Sequence, residues 1–245
     1  MTSRRAFLAT ATATASCACG GSGNEVRLRS RVRAPQGPAP GVGGRGLGIR
    51  KTRDAQLYVP ASLAETGKPA PLLVYLHGAG GSEQQGIKRL SEFADTLGFL
   101  LLSPASEGRT WDAIRDGYGA DVRALDAALT KVFEQCGVDA KRVGVCGFSD
   151  GASYALGLGL ANGELFQSVM AFSPGFIPPP FSPQGKPRVF VSHGTADEIL
   201  PIDTCSRILV PDLKRRGYQV TYREFDGPHA VPKEISEEAL RWFVA

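Results

Sequence analysis

Gly147-Phe148-Ser149-Asp150-Gly151 decides the reading of this chain, through what flanks it. Alone, Gly-x-Ser-x-Gly is a weak pattern. Here it follows the apolar, strand-like run Arg142-Val143-Gly144-Val145-Cys146 and opens a helix-like segment from Ala152 to Ala161. A strand, a sharp turn and a helix in that order lift a serine hydroxyl above the end of a sheet. The glycines have a steric purpose: they let the turn tighten and neighbouring backbones come close. Ser149 is the candidate nucleophile.

Two later segments supply partners for it. Val189-Phe190-Val191-Ser192 reads as a short buried strand ending in His193-Gly194-Thr195-Ala196-Asp197. Gln219 to Phe225 alternates as a strand and runs into Asp226-Gly227-Pro228-His229, ahead of a final helix. A serine hydroxyl is a poor nucleophile until an imidazole takes its proton, and a carboxylate fixes the tautomer of that imidazole. The order Ser149, Asp197, His229 is that of the α/β-hydrolase architecture and differs from both serine-protease orders. Of three histidines, His77 and His193 stand at strand ends before glycines and read as packing or supporting residues. His229 lies in a Gly/Pro loop after the last strand and is the candidate base. Asp197 is the candidate orienting acid. Asp203 suits a helix cap, and Asp226 is too near His229 in sequence.

Leu72-Leu73-Val74-Tyr75-Leu76-His77-Gly78-Ala79-Gly80-Gly81 is an apolar strand running into a glycine-rich turn. Backbone N–H groups in such a turn can face a developing oxyanion, together with that of the residue after the nucleophile. Ala79 and Asp150 are the candidate donors. No Lys-Ser/Thr follows the glycines, as a phosphate-cradling loop would require.

Taken with Leu57-Tyr58-Val59-Pro60, these stretches resemble the phospholipase/carboxylesterase branch of the α/β-hydrolase superfamily, close to predicted esterases and small poly(hydroxyalkanoate) depolymerase-like enzymes. The resemblance covers about residues 54–245. Related dienelactone hydrolases carry cysteine at the turn; the serine here implies ordinary ester hydrolysis. It also implies a Ser149–His229–Asp197 triad and no cofactor.

The N-terminus reads differently. Ser3-Arg4-Arg5-Ala6-Phe7-Leu8 matches a twin-arginine export pattern, and a mild Ala/Thr segment follows. Residues 1–23 are therefore set apart as an export signal, with Cys17 a candidate lipid-anchor site. Residues 1–53 hold ten Lys and Arg against one acid, a net of +9, while the remainder is mildly acidic at −5. The basic pI thus gives no support to nucleic-acid binding. Val26-Arg27-Leu28-Arg29-Ser30-Arg31-Val32-Arg33 alternates, which predicts an edge strand with an arginine face in water, or a basic arm. A Pro/Gly connection completes residues 24–53. No metal-ligand spacing is present, and Cys136, Cys146 and Cys205 give no expected bridge.

Strands alternating with helices over 54–245 predict one α/β domain with a mostly parallel central sheet, helices on both faces, antiparallel N-terminal strands and no cap domain. Predicted helices lie near Glu83–Leu97, Ala120–Gln135, Asp203–Arg216 (kinked at Pro211) and Pro232–Val244. The short connection from Phe172 to Val189 leaves no room for a lid, so the site should be an open cleft. Trp111 and Phe176 are candidate pocket walls. The expected protein is an exported serine esterase acting on small or polymeric esters. Alternatives are a polyester depolymerase or a feruloyl or acetyl-ester hydrolase, and, from another class, a non-catalytic binding protein on the same scaffold. Oligomeric state and natural substrate are not legible.

Overall fold

The computed structural model describes residues 26–245 except 67 and 181. The export segment 1–23 and Cys17 lie outside the described residues. In chain order the elements are β1 (Gly43–Gly46), β2 (Gln56–Val59), α1 (Ala61–Thr66), β3 (Ala70–Leu76), α2 (Glu83–Leu97), β4 (Leu100–Ser103), α3 (Ala120–Gln135), β5 (Val138–Phe148), α4 (Asp150–Ala161), β6 (Ser168–Phe172), β7 (Arg188–Gly194), α5 (Ser206–Arg215), β8 (Val220–Phe225) and α6 (Lys233–Val244). They form one eight-stranded sheet ordered β1-β2-β4-β3-β5-β6-β7-β8. The first two strands pair antiparallel, β2 meets β4 antiparallel, and every later pair is parallel. This is the expected α/β-hydrolase arrangement.

Two apolar layers sandwich the sheet because side chains on a strand alternate between faces. Leu72, Val74 and Leu76 of β3 join the layer under α3, α4 and α5. Leu73 and Tyr75 face the other way, with Leu90 and Ala94 of α2 and Leu240 and Phe243 of α6. In α3 the stripe Val122, Leu125, Leu129 and Val132 is buried as the spacing predicts. Each leucine so buried contributes about 1.5–3 kcal/mol relative to exposure. Helix α4 is apolar all round and buried from Gly151 to Ala161, so its N-terminus is held firmly beneath the rim of the sheet.

Three expectations need correction. The Val26–Arg33 segment keeps its alternation, with Val26, Leu28 and Ser30 buried, but it is not a strand. Its backbone pairs with helix side chains instead: Leu28 N–H donates to Asn162 Oδ1 at 2.8 Å, Asn162 Nδ2 donates to Val26 O at 2.9 Å, and the Arg29 and Ser30 N–H groups share Asp126 Oδ1 at 2.8 Å. Arg27 and Arg33 reach Ala161 O and Glu134. With a backbone partner replaced by an asparagine and an aspartate, no ladder forms. In the Pro/Gly stretch, read as a connection, Gly43–Gly46 instead forms β1 against β2. Finally, the helix expected from Asp203 begins only at Ser206: a 3-10 turn over Ile202–Thr204 precedes it and the chain breaks at Cys205 (φ −116°, ψ −102°), with Pro211 inside α5.

Candidate active site

The elbow is built by close backbone approach. A Cβ on Gly147 would lie 2.2 Å from Gly151 O, and one on Gly151 would lie 2.1 Å from Leu76 O, so neither position accepts a side chain. Between them Ser149 takes φ 59° and ψ −123°, a region that a non-glycine residue enters at a cost of about 1–3 kcal/mol. Its N–H is held by Phe172 O of β6 at 2.9 Å. The surrounding contacts therefore fix a strained turn that presents the hydroxyl at the carboxyl ends of the parallel strands, with α4 beginning behind it.

Asp197 and His229 come together. His229 Nδ1 lies 2.6 Å from Asp197 Oδ2, and an ionised carboxylate can only accept, so the proton sits on Nδ1 and Nε2 is left free. Asp197 is 5% exposed. Burial alone would raise its pKa, but the Leu200 N–H at 2.8 Å, His229 and His193 outweigh that and hold the carboxyl below its usual value. The Ile199 N–H adds another bond to Oδ1 at 3.0 Å. The His229 ring packs on Phe148, the residue before Ser149, with centroids 4.7 Å apart. Of the competing acids, Asp203 ion-pairs with Arg207 at 2.7 Å and Asp226 is exposed.

The glycine-rich loop lies against the elbow: a Cβ on Gly78 would be 3.4 Å from both Phe148 O and Ser149 Cβ. Gly80 N–H donates to Arg109 O and Gly81 N–H to Gly78 O, which leaves the Ala79 N–H without an acceptor among the described residues. Asp150 begins α4, so its N–H has no intrahelical partner either. Its carboxylate accepts from Thr110 Oγ1 at 2.6 Å, tying the elbow to the loop before Trp111.

Trp111 does not line a pocket. It is 1% exposed and donates Nε1–H to His77 O at 2.8 Å, while its ring lies between His77 and Tyr154 at 4.8 and 5.1 Å. An indole whose N–H has a backbone partner is satisfied in the core, and this one props the glycine-rich loop from below. Phe176 is 42% exposed and lines an open groove with Ile114, Pro179 and Pro180.

Arg53 has no counterpart among the sequence expectations. At φ 52°, its guanidinium donates to Ser106 O and Gly81 O, both at 2.8 Å, and approaches His77 Nε2 at 3.4 Å. It bolts both ends of the glycine-rich loop to the neighbouring strand connection. No spacing in the sequence signals it, because its three partners are distant in the chain. Cys136, Cys146 and Cys205 are free and buried.

The sequence profile described as Phospholipase/Carboxylesterase matches residues 115–238. The protein NocK of Nocardia uniformis subsp. tsuyamanensis, named an esterase by inference, is 28% identical over 64% of this chain and 48% of its own length. The chain thus spans about half of that relative. A feruloyl esterase C of Aspergillus oryzae, also named by inference, is 26% identical over 71% of this chain and 67% of its own. Among solved structures, esterase PE8 superposes with a TM-score of 0.62 at 22% identity, covering 82% of this chain and 98% of its own. Serine hydrolase FphF of Staphylococcus aureus, which binds fluorophosphonate, gives 0.67 at 14% identity, covering 84% and 100%. These superpositions establish the shared fold, and the profile, which covers half of the chain, establishes that it belongs to the phospholipase/carboxylesterase family.

Proposed function

We propose that this chain is an exported serine carboxylesterase that cleaves carboxylic esters through an acyl-enzyme intermediate. The observation that carries the reading is the 2.6 Å contact between His229 Nδ1 and the buried Asp197 Oδ2, with the His229 ring packed on Phe148, the residue before the serine on its strained turn. In the first half-reaction His229 Nε2 takes the Ser149 proton as Oγ attacks the ester carbonyl. Negative charge builds on the carbonyl oxygen and is met by the Ala79 and Asp150 N–H groups, each contributing about 3 kcal/mol in comparable sites. Collapse expels the alcohol, which takes the proton from His229. A water, deprotonated by His229, then attacks the acyl-enzyme and releases the acid. Asp197 holds the imidazole in the Nδ1–H tautomer and stabilises the imidazolium, remaining a carboxylate throughout. The chemistry calls for no cofactor.

Export rests on the Arg4-Arg5 segment alone, and a lipid anchor on Cys17 alone. The open groove beside Phe176 suits bulky or polymeric esters as well as small ones.

A fluorophosphonate probe tests the reading. It should add one label per chain, on the peptide containing Ser149, while Ser149→Ala should remain unlabelled and lose p-nitrophenyl acetate hydrolysis by about 10⁶ in kcat with its fold intact. Labelling elsewhere, or a folded Ser149→Ala retaining several per cent of activity, would remove Ser149 from this role. A non-catalytic binder would take no label.

A further inference from the structure

On the α2/α6 face of the sheet lies a cavity of about 280 Å³ that the proposed ester chemistry does not use. That volume lies just below the usual range for ligand pockets, about 300–1,000 Å³. Tyr75 of β3 and Phe172 of β6 form its sheet wall, Leu90 and Leu240 its helix walls, and the exposed Arg89, Glu92 and Lys233 stand around its opening.

Tyr75 is the unusual member. It is only 4% exposed, and its hydroxyl makes no hydrogen bond to another described residue but keeps access to solvent, so it is open to a ligand in the cavity it lines. Burial pushes its pKa up to about 12, opposed by the charge of Arg89. It is therefore a neutral donor at ordinary pH, within the electrostatic reach of a guanidinium. Its ring occupies space that α2 leaves free: a Cβ on Gly86 would lie 2.8 Å from Tyr75 Cδ1. Glycine inside a helix costs about 1 kcal/mol against alanine, and here it makes room for Ser103, whose hydroxyl lies nearest, as well as for the ring. Arg89 sits 5.9 Å above the Phe148 ring, and neither it nor Lys233 forms an ion pair among the described residues. Two unpaired cations against the single carboxylate of Glu92 leave the opening net positive.

We infer that this cavity is a ligand site for a small amphiphilic carboxylate, its head group held by the Tyr75 hydroxyl and the Arg89 guanidinium and its chain lying between α2 and α6. A guanidinium matches a planar carboxylate in two parallel hydrogen bonds, and the phenol supplies a further donor. A more highly charged head group would meet Glu92. The apolar walls take the chain.

Titration calorimetry of the full chain with octanoate tests the site. Octanoate is not an ester, so the result reads the same whether or not Ser149 is a nucleophile. Wild type should bind one equivalent with a Kd below about 1 mM. Arg89→Gln should weaken binding about tenfold, Tyr75→Phe about fivefold, and Ser236→Trp, which plugs the cavity from α6, should abolish it. Uncharged 1-octanol should bind wild type and Arg89→Gln within about twofold of each other, because only the head group is lost. The inference is overturned by absence of binding up to about 10 mM. It is equally overturned by octanoate binding that survives Arg89→Gln and Tyr75→Phe undiminished, which would put the ligand elsewhere, or by Arg89→Gln weakening octanol as much as octanoate.

Discussion

His77, just past β3, and His193, near the end of β7, begin alike. Each is fully buried, each precedes a glycine, and burial lowers the pKa of each below the usual histidine value. Their partners then make opposite tautomers. His77 Nδ1 lies 2.7 Å from Gly78 O, so it carries the proton, and Nε2 accepts from the Ser106 N–H at 3.1 Å. His193 Nε2 lies 2.7 Å from Leu200 O and 3.1 Å from Asp197 Oδ2, both acceptors, so the proton is there, and Nδ1 accepts from Ser206 Oγ at 2.7 Å. One ring shapes a loop of backbone donors; the other steadies a carboxylate acceptor. The same dipeptide thus serves both sides of the elbow, and its surroundings choose the role.

The largest test of this division is on the acceptor side. Asp197→Asn should lower kcat by about 10⁴, the loss that the same change brings in a serine protease, since an amide at this position favours the wrong imidazole tautomer. Asp203→Asn and Asp226→Asn should remain within about tenfold of wild type. A crippled Asp226→Asn beside a nearly silent Asp197→Asn would reverse the assignment. On the donor side, His77→Leu should cost about 10² in kcat by letting the Ala79 loop shift, and should also destabilise the fold by about 1–3 kcal/mol, because the Ser106 N–H loses its acceptor. Smaller again is His193→Leu: Asp197 keeps His229, Ile199 and Leu200, so kcat should fall about tenfold with KM unchanged. Steady-state kinetics beside melting curves separate the two histidines, and equal losses from both would dissolve the distinction.

The smallest effect concerns what the pair shares. Both folded-state pKa values are lowered, so below about pH 6.5 the unfolded chain binds protons that the folded chain refuses. Their contribution to stability is present above that pH and is lost as the pH falls through the folded-state values. Lowering the pH from about 7.5 to 5 should therefore reduce Tm more in wild type than in the His77→Leu, His193→Leu double variant. An equal drop in both would show that other groups govern the acid limb.

Much of this is legible in the sequence because it is local. The elbow is one pentapeptide, the helices Glu83–Leu97 and Ala120–Gln135 follow their apolar period, and Ser168–Phe172 is a plain apolar strand. The pairing of Asp197 with His229 follows from chain order, since parallel strands bring their carboxyl ends to one rim. What escapes depends on partners remote in sequence. Nothing near Trp111 in the chain tells that its N–H meets His77 O. Arg53 owes its place to Gly81 and Ser106. The Val26–Arg33 alternation is real, but alternation does not reveal whether the partner is a strand or the side chains of Asn162 and Asp126.

That last contact also sets an order of events. Leu28 precedes Asn162 by 134 residues, so at 5–20 residues per second the arm waits about 7 to 27 s on the ribosome for the amide that will hold it. The first described segment to be synthesised thus cannot be fixed until α4 is complete. Through that interval its arginines at every second position keep an extended backbone hydrated and unattractive to another strand.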